Sequence, residues 1–274
     1  MNKIIVENGT VTKYVGESGE IEYQENLSSY KCPPFLGEYD PFELTISGRK
    51  NWSYGELLSE GVCVINVEAK TKFICSDFSP NGSSFFKLLE EINVDPENTY
   101  CASEDGILYS KDKTILYACP ASYKKAVVIP DTVKTIATRA FKGCKLIKEV
   151  IIPDSVTVIE EQAFADCKAL KKVVLPKKLE TLGKEAFLRS SKLLVAGPRG
   201  EKGLKANFEF SWENDIPENA FYGMRHLKKV VLPETIKSIG KNAFKGCKSL
   251  EEINLPEGVK CDAKTFKDCV NLSV

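Results

Sequence analysis

A single histidine, His226, has to serve a chain of 274 residues. That scarcity excludes most histidine-based nucleophilic catalysis and most metal-ligand sets. His226 stands beside Leu227, at a repeat position shared with Ala169 and Ser249, and reads as a solvated loop residue rather than a catalytic base. A surplus of either charge is also missing. Lys+Arg and Asp+Glu are both 38, so no long-range field favours nucleic acid or an acidic membrane surface. Long hydrophobic runs are absent: nothing approaches the ~20 apolar residues of a membrane-spanning helix. The opening residues Met1–Asn8 reach Glu7 too early for the apolar core of a signal peptide. The chain as written is expected to be cytoplasmic, or to begin after a removed signal. No Cys-x-x-Cys pair occurs among ten cysteines. Gly197-Pro198-Arg199-Gly200-Glu201-Lys202-Gly203 is rich in glycine but lacks the Gly-Lys-Ser/Thr end of a phosphate loop.

What the chain does have is a period. Ala-Phe recurs at Ala140-Phe141, Ala163-Phe164, Ala186-Phe187, Ala220-Phe221 and Ala243-Phe244, with Thr265-Phe266 as a degenerate sixth copy. The phenylalanine spacings are 23, 23, 34, 23 and 22. An aliphatic residue followed by proline recurs at Ile129-Pro130, Ile152-Pro153, Leu175-Pro176, Leu232-Pro233 and Leu255-Pro256. Three residues after phenylalanine stand Cys144, Cys167, Cys247 and Cys269, replaced by Ser190 and Met224 in the other two copies. Three independent markers on one period identify stacked repeats.

The spacing carries its own physics. Leu170, Val173 and Leu175 end in alternation, as in a short strand with one face inward. Pro176 has no N–H and should end the ladder. Leu179 and Leu182 return to the interior, Ala186 is small where the coil is tight, and Phe187 fills its centre. One such unit cannot bury its own apolar side, so neighbouring copies must stack into a continuous core. The cysteines, one coil apart at ~4.8 Å, read as small buried thiols rather than zinc ligands.

The segment from Val231 through Pro233, Ala243-Phe244 and Cys247 resembles a repeat of the BspA-like leucine-rich repeat proteins. Asp105-Gly106-Ile107-Leu108-Tyr109-Ser110-Lys111-Asp112-Lys113-Thr114 resembles a hairpin that interrupts early repeats of that family. The match covers about residues 88–274. The expected fold is a β-rich α/β solenoid, a right-handed leucine-rich repeat superhelix with short strands and short helical or irregular segments in each coil. Residues 86–274 form the solenoid, with a hairpin insertion near 100–120 and a further insertion near 197–212. Residues 1–85 read as a β-rich N-terminal cap or degenerate repeats, a small independent domain being the alternative. Within them, Asn8-Gly9 signals a hairpin between Ile4–Val6 and Val11–Tyr14. Val62–Val67 is expected to pair with Lys72–Cys75. The resemblance implies surface proteins that bind host or neighbouring-cell proteins, hence a secreted or cell-surface location if the chain is a mature form.

Two surfaces are left over once the core is assigned. In the strand segment, the residue between the two inward aliphatics should face outward: Val128, Ile151, Val174 and Val231, with Asn254 in the last copy. Such a column is a candidate partner-binding strip, against the plainer account of β propensity and packing on neighbouring coils. The insertion holds Phe208, Phe210 and Trp212, a candidate binding loop unless its rings pack back on the coils. Lys171-Lys172, Lys177-Lys178 and Lys228-Lys229 share columns with Lys148-Glu149 and Glu251-Glu252, a mixed face that does not suit nucleic acid. The expected function is a non-catalytic protein-interaction or adhesion module with no cofactor, no metal, no nucleic acid, no membrane insertion and an unidentified protein partner. A structural or self-associating scaffold is the alternative, and an enzyme with its site in the N-terminal third comes last.

Overall fold

The computed structural model describes residues 2–7, 10–16, 19–26, 42–47, 62–71, 88–176, 179–192, 194–196, 207–209, 215–232 and 234–272. The chain forms two compact units, Met1–Tyr123 and Lys124–Val274.

In the first unit, β1 (Asn2–Glu7), β2 (Thr10–Gly16) and β3 (Gly19–Asn26) form an antiparallel meander. Glu7 pairs with Thr10, so Asn8-Gly9 does connect paired strands. β4 (Phe42–Ser47), β5 (Val62–Val67) and β6 (Glu91–Val94) then stack in parallel beside β1. Leu44, Ile65 and Ile92 share one register position, the arrangement of successive coils. Cys63, Ile65 and Val67 are buried and alternate with half-buried Val64 and Asn66, as expected of a strand with one face inward. This corrects the expected pairing of Val62–Val67 with Lys72–Cys75. Both edges of β5 are occupied by β4 and β6, and residues 72–75 lie outside the described residues.

β7 (Cys101–Glu104), β8 (Ile107–Ser110) and β9 (Ile115–Ala118) are consecutive antiparallel hairpins, where the sequence places an insertion. Asp105 and Gly106 take positive φ in the first turn. In the second, Asp112 Oδ1 accepts from the Ser110 hydroxyl at 2.6 Å, the Thr114 N–H at 3.0 Å and the Thr114 hydroxyl at 2.8 Å. Buried Asn98 ties the hairpins down. Its amide donates to the Glu68 and Thr71 carbonyls, and its oxygen accepts from the Tyr100 and Cys101 N–H groups.

The second unit is a stack of coils with two parallel ladders. One ladder contains β10 (Val127–Val128), β12 (Glu149–Ile151), β14 (Lys172–Val174) and β16 (Leu194–Ala196), and resumes as β17 (Asn207–Glu209), β18 (Lys229–Val231) and β20 (Glu252–Ile253). The other contains β11 (Thr135–Ile136), β13 (Val158–Ile159) and β15 (Thr181–Leu182), with β19 (Ser238–Ile239) paired to β21 (Lys260–Cys261). Prolines end the first ladder and open turns: Val133, Val156 and Val259 donate N–H to the carbonyls of Pro130, Pro153 and Pro256.

The α part of the expected α/β class does not form: no helix occurs among the described residues, and the fold is an all-β solenoid of about seven turns. The reason lies in the Ala-Phe arc. Arg139, Gln162, Glu185, Asn219 and Asn242, two residues before the first five repeat phenylalanines, all have φ between 55° and 61°. Gly143, Asp166, Arg189, Gly223, Gly246 and Asp268, two residues after, are also positive. A left-handed residue every fourth position stops an α-helix before one turn closes. It turns the backbone N–H groups toward the next coil instead. Arg139, Phe141 and Gly143 thus donate to the Glu161, Ala163 and Ala165 carbonyls at 2.9, 2.7 and 2.8 Å.

Inside the arc the phenylalanines form one stack. Successive centroids from Phe141 to Phe266 lie 4.8, 5.5, 6.0, 5.2 and 5.7 Å apart, with rings nearly parallel. Phe141, Phe164, Phe187, Phe221 and Phe244 are fully buried, as are Leu179 and the small Ala163, Ala186, Ala220 and Ala243. The position three residues on bonds back to the preceding coil. Cys167, Cys247 and Cys269 reach the carbonyls of Phe141, Phe221 and Phe244 at 2.9, 3.3 and 3.1 Å, and the Ser190 hydroxyl reaches that of Phe164 at 2.6 Å. Serine substitutes for cysteine because both donate a hydrogen bond, which Met224 cannot do.

Candidate interaction surface

Because β side chains alternate, the ladder of β10, β12 and β14 presents one inward column and an outward residue on either side of it. Val150 and Val173 are buried in the inward column. On one side stand Glu149, Lys172, Lys229 and Glu252. Lys172 pairs with Glu149, and Lys229 with Glu252 at 2.6 Å. Lys228 faces Glu251 at 3.5 Å. Three of the lysines that could have drawn a nucleic-acid backbone are therefore compensated by the neighbouring coil. Lys171 is exposed, and Lys177 and Lys178 lie outside the described residues.

On the other side lies the predicted strip, which the structure grades steeply. Val128 is 69 % exposed, Ile151 44 % and Val174 8 %. Among the described residues Val128 has a register partner only in Ile151, whereas Val174 is in register with both Ile151 and Ala196. Val231 is half-buried. Asn254 is exposed but engaged: its amide oxygen accepts the Leu232 N–H at 2.6 Å, and its nitrogen donates to the Leu232 carbonyl at 2.8 Å. The apolar outward surface therefore concentrates on Val128 and Ile151. Leu146, 49 % exposed in the turn leading into β12, is a further exposed large apolar side chain that sequence reasoning missed. Its signal was available, since the equivalent positions hold Ala169, Lys192, His226 and Ser249.

The candidate loop residues separate. Phe208 lies in β17, its backbone in register with Val230, so it belongs to the ladder rather than to a loop. Phe210 and Trp212 lie outside the described residues. His226 is exposed in a turn. Among the described residues, no group of three or more histidine, cysteine, aspartate or glutamate side chains is placed to hold a metal ion. No helix among them is long and apolar enough to cross a membrane.

A second polar column was also missed by sequence reasoning. Arg139 Nε and Lys142 Nζ donate to Gln162 Oε1 at 3.0 and 2.7 Å. Gln162 Nε2 donates to Glu185 at 2.5 Å, and Asn219 Nδ2 donates to the other Glu185 oxygen at 3.2 Å. Burial, then neighbouring Arg139, lowers the Lys142 pKa. This side-chain ladder satisfies itself across four coils and holds the left-handed positions in place.

Known proteins place the geometry in a family. The model of the BspA type leucine rich repeat region matches in six copies over residues 115–196 and 214–274, just over half of the chain. The gap between the two matched stretches contains the insertion. No curated protein matches the chain. A leucine-rich repeat protein from Eubacterium ventriosum is similar in structure, with TM-score 0.67 and 24 % identity over 85 % of this chain and 60 % of that one. A leucine rich cell surface protein from Faecalibacterium prausnitzii gives TM-score 0.59 and 22 % identity over 77 % of this chain and 59 % of that one. The pneumococcal vaccine antigen PcpA gives TM-score 0.55 and 22 % identity, covering 84 % and 60 %. At these identities the likeness is one of fold. The chain spans about three-fifths of the length of each.

Proposed function

We propose that this chain, which belongs to the BspA type leucine-rich repeat family, is a non-catalytic adhesion module. It binds a protein partner through the outward apolar end of its first ladder. The observation that carries this reading is the exposure of Val128 at 69 % and Ile151 at 44 % on adjacent strands. Neither side chain is needed to fill the coils, whose interior is occupied by the phenylalanine stack and the inward valines. Large apolar side chains clustered on a surface, beside a polar rim of paired lysine and glutamate, suit a protein interface. The cell-surface protein and the vaccine antigen among the similar structures support an adhesive role by analogy of fold.

Val128→Glu combined with Ile151→Glu tests the strip without touching the core. The chain and the double variant are compared for binding to a panel of purified extracellular proteins, with circular dichroism to verify folding. The expected result is a binder of the parent chain whose affinity falls at least about tenfold in the double variant, the effect of a lost hot spot. Unchanged affinity in a folded variant overturns the strip. Concentration-dependent light scattering abolished by the same substitutions, with no binder in the panel, instead supports the self-associating scaffold.

A further inference from the structure

The cysteine column holds two adjacent pairs, and they differ in access. Cys144 and Cys167 are fully buried. Cys247 is also buried, but its neighbour one coil on, Cys269, is partly exposed. The two coils are locked in register beside these sulfurs: Gly246 donates to the Lys267 carbonyl at 2.8 Å and Phe244 to the Thr265 carbonyl at 3.0 Å. Equivalent residues of adjacent coils stand ~4.8 Å apart, within the ~4.4–6.8 Å Cα separation of disulfides. The Cys247 thiol donates to the Phe221 carbonyl at 3.3 Å, and the Cys269 thiol donates to the Phe244 carbonyl at 3.1 Å. The hydrogen bond from Cys247 holds the Cys269 thiol below its ordinary pKa, while burial pushes Cys247 up. A partly exposed thiol whose pKa is lowered, backed one coil away by a buried thiol whose pKa is raised, is the arrangement of an attacking and a resolving cysteine.

We propose that Cys269 and Cys247 form a thiol–disulfide exchange site for low-molecular-weight disulfides. The Cys269 thiolate attacks one sulfur of a small disulfide RS–SR, forming a mixed disulfide and releasing RS⁻, which takes a proton from solvent. Cys247 then loses its proton to solvent and attacks Cys269 Sγ, expelling the second RS⁻, which is protonated in turn. Two thiols are oxidised to one inter-coil disulfide, and RS–SR is reduced to two RSH. Cys144–Cys167 has the same column spacing but no accessible sulfur, so it stays reduced and serves as an internal control. Cys261, exposed on β21, occupies a different column.

The test incubates the reduced chain with oxidised glutathione and reads intact mass and tryptic peptides. The expected product has the Cys247 peptide linked to the Cys269 peptide, two hydrogens lighter than the reduced pair, with no glutathione retained on either. Cys247→Ser should instead accumulate a stable glutathione adduct on Cys269. Serine is compatible with this position because Ser190 occupies it in another coil. Cys269→Ser should give neither the link nor the adduct at this column. A persistent glutathione adduct on Cys269 of the parent chain overturns the proposal. So does a link from Cys269 to Cys261, or oxidation of Cys144–Cys167 at an equal rate.

Discussion

The coils carrying Phe141, Phe164 and Phe187 and those carrying Phe221, Phe244 and Phe266 follow one template and join their Ala-Phe arcs by the same backbone bonds, but they differ where the two groups meet and along their ladders. In the first group the Ala-Phe arcs are joined by backbone bonds of 2.7–3.0 Å, through Arg139, Phe141, Gly143, Gln162, Phe164 and Asp166. At the junction with the second group the equivalent bonds, from Glu185, Phe187 and Arg189, lengthen to 3.3, 3.2 and 3.2 Å. The ring spacing is widest there, at 6.0 Å, and the column thiol is replaced by Met224. Beyond the junction, side chains supply bonds that the backbone makes elsewhere. The Lys134 carbonyl accepts the Thr157 and Val158 N–H groups, but the equivalent Lys237 and Ser238 N–H groups are accepted by Asp215 Oδ1 at 3.1 and 2.8 Å. Ile152 donates to the Val174 carbonyl, whereas Leu232 donates to the Asn254 side chain. An insertion that disturbs the backbone ladder is therefore tolerated where short polar side chains restore the lost partners.

The comparison predicts a gradient in what each ring contributes. Phe164→Ala removes a fully buried ring stacked on both faces, and should cost about 3–5 kcal/mol. Phe266→Ala removes a half-buried ring with one stacked neighbour, and should cost about 1–2 kcal/mol. Urea denaturation of the two variants measures both, and equal losses would break the distinction between inner and outer coils.

Next in size is Gly183→Ala. A Cβ at Gly183 would lie 2.3–2.6 Å from backbone atoms of Glu160 and Glu161. Backbone cannot yield as a side-chain tip does, so overpacking should cost about 1–3 kcal/mol in thermal or urea melts. Gly240→Ala meets the Pro217 and Glu218 backbone at 2.5–2.9 Å. A markedly smaller loss at Gly240 would show that the second group of coils yields more readily than the first.

The period, the ring, the proline stop and the buried thiol column were all legible, because each depends on residue type at fixed spacing. The absence of helix was not. Its cause is positive φ at Arg139, Gln162, Glu185 and Arg189, residues with no preference for that conformation. Glycine or asparagine marks it only in some copies, as at Gly143, Asn219 and Gly246. The outward column was legible as a column, but its exposure was not, because Val174 is covered by neighbours on both sides while Val128 lies at the end of its ladder. Asn254 could be placed in that column from sequence. Its use as a surrogate peptide group depends on the exact approach of Leu232 and could not.

Asn254→Ala probes that surrogate directly. It removes both bonds to Leu232 at an exposed position where water can replace them, so the expected loss is about 1 kcal/mol. The β18–β20 pairing should fray with it, read as faster amide exchange at Leu232. No change in exchange there would show that the β18–β20 ladder holds without the side chain.

The smallest effect is at Asp215, because a carboxylate titrates and the Lys134 backbone carbonyl that takes its place in the first group does not. The Ser238 hydroxyl, followed by the Ser238 and Lys237 N–H groups, lowers the Asp215 pKa below its ordinary value. With the folded pKa depressed, the contribution is fully present above the unfolded value near ~3.9. It fades as pH falls through the folded one. Asp215→Asn keeps an oxygen acceptor but removes the charge, which isolates the titrating part from every other carboxylate in the chain. The thermal midpoint of the parent should exceed that of the variant at pH 6, and the gap should close as pH falls below about 4. The Ser238 amide resonance should titrate with it, while that of Val158, bonded to the Lys134 carbonyl, stays still. A gap independent of pH over that range would mean that Asp215 acts only through geometry, as Lys134 does in the first group.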